Sequence, residues 1–391
     1  MNSRSIAVCI GVVLALSAPL LAVSPASTRP ATTHVSAASL DELLEGIRTK
    51  HKLPGLVGAI VEGDDVIAIG AAGIRKVGAP ERITIDDKLH LGSCTKAMTA
   101  TILARLIERG QLKWDSTIAQ VFPDLAPSLN DGYRDVTLEQ LFQHRAGLPA
   151  NATWAVLGEG TTTVQRVNAI KLELAKKPQS DPGTKFAYSN LGYAVTGAMG
   201  EKVTGKSWED LIQQELFDPL GMTSAGFGPP GTKGEVDQPW GHLPMGKLSV
   251  PGQTDNPPSV GPAGRVHCTI RDWARFISLH LRGERGEEKT YLSPETFARL
   301  HSPPADGDYA AGWMVVQRPW GGGTVLAHSG SNTMWYCVVW MAPKRNFAVL
   351  SATNIGGDEA AKGCDEASAA MIGRFYQLRP KATLPTTRGR D

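Results

Sequence analysis

Apolar residues Ala97, Met98, Ile102, Leu103, Leu106 and Ile107 recur at three- and four-residue steps, and the pattern stops at Gly110. That spacing predicts one largely buried helix, opening near Ser93 and closed by the glycine. Upstream, Ser39 and Glu42 have the spacing of a capping box at the start of another helix. Residues 56–62 and 66–71, parted by Gly63-Asp64-Asp65, predict a hairpin of two strands. Residues 136–142 begin a further helix, and from there to about Gly264 short helical patterns alternate with Pro- and Gly-rich loops, with few strand signals. After a helix at 272–276 the texture changes to strands at 309–317, 324–328, 335–341 and 347–353, followed by a closing helix at 358–375. Strands at both ends of the chain are thus expected to share one sheet, packed by the first and last helices, with a helical region inserted between them.

At 391 residues and 42% apolar content, the chain is able to bury a large core. Its 40 basic and 38 acidic residues leave a formal charge of +2, and no basic tract with interleaved aromatics occurs, so nucleic acid is not an expected partner. Arg4 precedes the apolar run 6–23, and Ser24-Pro25-Ala26 offers a cleavage site, the pattern of a signal peptide over residues 1–26. A retained membrane anchor is the alternative, disfavoured by Gly11, Ser17 and Pro19 within the run. Residues 27–38 read as a flexible leader and 379–391 as a tail. The expected location is therefore outside the cytoplasm, periplasmic or secreted. Cys94, Cys268, Cys337 and Cys364 lack the paired spacing of a zinc site. Export permits disulfides, and Cys337 with Cys364 is the pair expected first, because a terminal helix can lay one over a strand carrying the other.

The candidate chemistry begins at Ser93. It falls in or just before the first turn of the helix, where free N–H groups and the dipole favour developing negative charge, and Lys96 shares its face. A desolvated lysine can take the proton of a serine hydroxyl and make it a nucleophile. The plainer alternative makes Ser93 an N-cap and Lys96 a solvated side chain. Tyr188 and Asn190 stand in a loop entering a helix, where a phenol can pass protons and an amide can bind a substrate carbonyl, or where both can be purely structural. His328-Ser329-Gly330 ends a late strand, where a glycine permits close backbone approach and the Ser331 N–H can donate to an oxyanion. Gly200 to Ser207 matches the phosphate-loop pattern letter for letter, but helical spacing precedes it and Gly205 reads as a helix stop, so no nucleotide is expected. No G-x-S-x-G elbow and no H-E-x-x-H zinc motif occurs. The nine histidines lack ligand spacing, and His144 reads as part of a packed turn.

Ser93-x-x-Lys96, Tyr188-x-Asn190 and His328-x-Gly330, in this order and on these elements, resemble the serine β-lactamase and penicillin-binding-protein superfamily. More closely, the chain is similar to the class C β-lactamase-related hydrolases, which include D-alanyl-D-alanine carboxypeptidases and esterases. The likeness runs from about Leu40 to Tyr376 and includes Gly147-Leu148-Pro149, Pro219-Leu220-Gly221-Met222 and Gly261-Pro262-Ala263-Gly264. It implies an α+β fold, a mainly antiparallel sheet flanked by helices with a helical inserted region, as one catalytic domain over 39–378: sheet from about 39–92 and 265–378, helices over 93–264. It further implies an acyl-serine mechanism. Ser93 would attack, Lys96 and Tyr188 would share the general-base work, Asn190, His328 and Gly330 would bind substrate, and the N–H groups of Ser93 and Ser331 would hold the oxyanion. No metal or organic cofactor is needed. The implied partners are small-molecule esters, peptides or β-lactams, cell-wall peptide among them.

One departure bears on the substrate. The lactamases usually carry lysine where this chain has His328, and an unperturbed imidazole, with a pKa near ~6.5, is mostly neutral at pH 7. That favours ester or peptide hydrolysis over efficient β-lactam hydrolysis. A true β-lactamase and a catalytically idle cell-wall-binding relative are the alternatives.

Overall fold

The computed structural model describes residues 37–379. The expected signal peptide, the leader up to residue 36 and the tail from residue 380 lie outside the described residues. Among the described residues no helix is long and apolar enough to cross a membrane.

Strands β1 (Ala38–Ser39), β2 (Gly55–Glu62) and β3 (Asp65–Gly73) open the described chain. Short strands β4 (Lys88–His90), β5 (Gly226–Phe227), β6 (Gly241–Met245), β7 (Leu248–Gly252) and β8 (Val266–Thr269) follow, and β9 (Met314–Arg318), β10 (Gly323–Ser331), β11 (Tyr336–Ala342) and β12 (Phe347–Thr353) close it. Seven of them form one sheet in the order β1-β3-β2-β12-β11-β10-β9, antiparallel except at the β1–β3 edge. Both ends of the chain therefore meet in one sheet, as the hydrophobic pattern predicts. β4, β8 and β5 make a second, three-stranded sheet, and β6 with β7 a separate hairpin. The hairpin corrects the expectation of few strands before Gly264. Pro244 and Pro251 mask it in sequence, and the left-handed Gly246 turns it.

The central strands are apolar on both faces because both faces are covered. Val57, Ala59, Val61, Cys337, Val339 and Met341 pack toward Met98, Ile102 and the inserted helices. Leu56, Ile60, Val338 and Val349 pack toward Leu44, Cys364, Met371 and Phe375 on the first and last helices, Asp41–Lys50 and Asp358–Leu378. This alternation corrects the expected Cys337–Cys364 bridge. Successive side chains of β11 point to opposite faces, so Cys337 looks away from the last helix, and both thiols are free and buried. The Cys337 sulfur lies instead 3.6 Å from that of Cys94.

The first helix also starts differently. Ser39 is drawn into β1 beside β3, and its hydroxyl accepts from Asp41 N–H, so Leu40 precedes the helix without a side-chain cap. By contrast Thr137 and Gln140 do form a capping box, and the helix it begins spans Leu138–Phe142. The expected strand 309–317 is shorter: Tyr309 bridges back to Met314 across the left-handed Gly312, and only Met314–Arg318 joins the sheet.

Candidate active site

Ser93 sits in a single 3₁₀ turn, Gly92–Cys94, that runs into the helix Thr95–Glu108. Gly110, left-handed at φ +72, ends that helix as predicted. The Ser93 side chain makes no capping bond, so the N-cap alternative does not describe it. β8 clamps the turn from one side, with Leu91 N–H donating to the Val266 carbonyl and Val266 N–H to the Thr95 hydroxyl. β10 presses on it from the other. A Cβ on Gly330 would fall 2.0 Å from the Leu91 oxygen and 2.9 Å from the Ser93 nitrogen, and one on Gly92 would fall 2.4 Å from the Ser331 nitrogen. The two glycines let turn and strand touch, which brings the Ser93 and Ser331 N–H groups to one seam. Gly330→Ala should therefore shift the turn, with kcat/KM falling roughly 10²-fold and stability by about 1–3 kcal/mol. Steady-state kinetics and a melting curve on the purified variant check this.

Lys96 is fully buried, and its Nζ has three partners: Ser93 Oγ at 3.1 Å, Asn190 Oδ1 at 2.8 Å and the Ala263 carbonyl at 2.7 Å. Burial holds its pKa well below the ordinary ammonium value, with the Cys94 thiol acting the other way. A neutral amine has two N–H donors and one lone pair. The carbonyl and the amide oxygen can only accept, so Ser93 is the one partner of the three able to offer a proton to that lone pair. Ala263 was not a site residue in the sequence reading. Its signal was the Gly261-Pro262-Ala263-Gly264 segment, whose carbonyls turn toward the helix, Pro262 accepting from Thr99 and Ala263 from Lys96.

Asn190 is the first residue of the helix Asn190–Thr204, capped by Ser189. Its Nδ2 donates to Asn151 Oδ1 at 3.0 Å, which fixes the amide oxygen toward Lys96. The Tyr188 ring lies with its centroid 4.7 Å from Lys96 Nζ, and its phenol touches the Ser93 side chain. Burial raises the phenol pKa and keeps its proton on, while the Ser93 contact lowers it. His328 is buried in the wall of the site with both ring nitrogens engaged, Nδ1 on the Ser329 carbonyl at 2.6 Å and Nε2 on the Tyr309 hydroxyl at 2.9 Å. Tyr309 is a second residue the sequence reading missed, because it reads there as part of a strand. Together Ser93, Phe186, Tyr188, Tyr309, Met314 and His328 line a cleft of about 400 Å³. The structure thus brings Ser93, Lys96, Tyr188, Asn190, His328, Gly330 and Ser331 to one place.

The phosphate-loop pattern lies elsewhere. Helix, not strand, precedes it, Gly205 closes that helix at φ +71, and Lys206 Nζ is turned to Gln214. This is the geometry of a helix–helix corner.

Residues 40–370 match the Beta-lactamase family model. The chain belongs to the beta-lactamase family. This family member is 26% identical over 339 residues to Penicillin-binding protein 4 of Amycolatopsis lactamdurans, covering 81% of this chain and 84% of that protein. It is 22% identical to Protein flp of Staphylococcus aureus (strain N315) over 84% of this chain, but spans only 65% of that protein's length. In fold it is similar to an octameric penicillin-binding protein homologue from Pyrococcus abyssi, with a TM-score of 0.71 at 23% identity over 85% of this chain and 76% of that one. It also resembles SurE, with a TM-score of 0.69 at 20% identity over 89% of this chain and 78% of that one. As a beta-lactamase-family protein it is a serine hydrolase acting on acyl bonds.

Proposed function

We propose that this beta-lactamase-family hydrolase is exported and cleaves esters or peptides, D-Ala-D-Ala-type bonds among them, through an acyl-enzyme on Ser93. The observation that carries the reading is the buried Lys96, its pKa lowered by burial, whose sole proton-bearing oxygen partner is the Ser93 hydroxyl. In this mechanism Lys96 takes the Ser93 proton as Oγ attacks the carbonyl carbon, and the N–H groups of Ser93 and Ser331 receive the negative charge on the carbonyl oxygen. The proton then passes from Lys96 through the Tyr188 phenol to the departing alcohol or amine. Asn190 orients both Lys96 and the acyl side. Water, deprotonated over the same path, releases the acid and restores Ser93. Because its phenol holds its proton, Tyr188 serves as the relay and Lys96 as the base, a division sharper than shared general-base work.

Incubation with a fluorophosphonate probe should add one adduct, mapped to Ser93 by mass spectrometry. A p-nitrophenyl ester, a chromogenic cephalosporin and a D-Ala-D-Ala peptide, assayed side by side, rank the acyl classes. No adduct and no turnover on any of the three would favour the idle cell-wall-binding relative.

The cleft lining supports neutral acyl substrates over a β-lactam. It carries no lysine or arginine, and the two nitrogens of His328 are already bonded within the protein, leaving none for a substrate carboxylate. His328→Lys should place a charge there. The kcat/KM ratio of cephalosporin to neutral ester is expected to rise several-fold to roughly tenfold, less at high salt, while both absolute rates drop with the lost Tyr309 contact. An unchanged ratio in a folded, active variant would count against the neutral-substrate reading.

A further inference from the structure

We propose that His144 is a positioning residue for the reaction, holding Tyr188 by hydrogen bonds from the backbone N–H groups of the residues on either side of it. Its carbonyl accepts from Ala187 N–H at 2.8 Å, and its Nδ1 accepts from Ser189 N–H at 3.1 Å. One residue thus grips the backbone immediately before and immediately after the phenol. The ring packs on what it grips, with its centroid 4.3 Å from Tyr188 and 4.8 Å from Tyr309.

Closing the turn does not account for a histidine here. The turn is already anchored by Arg145 N–H on the Gln140 carbonyl, by Gly183 N–H on the Arg145 carbonyl and by the Arg145–Asp306 ion pair. The backbone of His144 is left-handed at φ +56, a conformation in which glycine or asparagine is less strained, so the side chain has to give something in return. Its Nε2 is buried without a hydrogen-bond partner, among aromatic rings, while Nδ1 is spent on Ser189. An acceptor Nδ1 requires the neutral ring with the proton on Nε2, and burial lowers the ring's pKa well below its ordinary value, which keeps it neutral. His144 touches neither Ser93 nor Lys96 through a hydrogen bond; it acts through the placement of Tyr188.

The inference rests on the reading of Tyr188 as part of the proton path, so Tyr188→Phe is measured first. Wild-type turnover in that variant refutes the relay itself and, with it, any need for positioning. Given a large loss there, His144→Phe, which keeps a ring but removes the acceptor, is expected to lower kcat by roughly 10- to 100-fold with KM little changed. His144→Asn, whose amide oxygen can stand near the place of Nδ1 and whose backbone accepts the left-handed conformation, should stay within about threefold of wild type. In the Tyr188→Phe background, His144→Phe should cost less than about threefold, because the group it positions has gone. A merely structural histidine would cost the same factor in both backgrounds, and that result, or full activity in His144→Phe, overturns the inference. Should the phenylalanine variant not fold, His144→Asn decides alone: a tenfold or larger loss in a folded asparagine variant overturns the acceptor role.

Discussion

Ser93→Ala is expected to lower ester turnover by at least ~10⁴-fold while leaving the fold intact. The proposed nucleophile is lost outright, whereas the structure loses one hydroxyl that caps no helix and meets only the Lys96 amine and the Tyr188 phenol. Stability should therefore stay within about 0.5 kcal/mol of wild type. Fluorophosphonate labelling and burst kinetics read the first effect, and denaturant titration reads the second. A purified, folded variant that hydrolyses the ester at the wild-type rate would falsify the assignment of Ser93.

Replacing Lys96 by methionine should slow acylation by roughly 10³- to 10⁴-fold, the range of a lost general base. The same change has an opposite signature in stability. Burial lowers the Lys96 pKa well below the usual value in the folded protein, while the unfolded chain binds a proton at that position below about pH 10.4. As pH falls through that value, the unfolded state gains a proton that the folded state does not, so wild type loses stability relative to Lys96→Met. The loss continues until the folded lysine itself titrates. Paired urea melts at pH 7 and pH 10 test this, and a stability difference between the two proteins that does not change with pH would remove the neutral-lysine argument. Wild-type acylation should follow the same group in the other sense, rising with pH as Lys96 gives up its proton and levelling off well below the ordinary lysine range. That pairing of activity and instability is the general trade at a strained active site.

Much of the site was legible because its elements obey short-range rules. The Ser93 helix follows from apolar spacing and a terminal glycine, and the closing strand 347–353 from a short apolar run carrying Phe347, Val349 and Thr353 after the turn residues 343–346. The phosphate-loop match could be set aside on the same grounds. What misled was equally local. The Ser39 spacing suited a capping box, but pairing of β1 with β3 took that residue for the sheet.

The sequence by itself determined the order and kind of most helices and strands, that strands from both halves of the chain share a sheet, and which residue types were available for acyl transfer. Only the tertiary structure decided what those residues face. In a sheet covered on both sides, alternating positions are all apolar, so periodicity cannot say which face meets which helix, and Cys337 was free to look toward Cys94 rather than Cys364. Lys96 is held out of water because the Ala263 carbonyl, 167 positions away, and the Asn190 amide, 94 away, meet its amine there. His144 grips the neighbours of Tyr188 from 45 positions upstream. Desolvation and hydrogen-bond partnership arise from contacts distant in sequence, and these gather a serine, a lysine and a tyrosine into a candidate site.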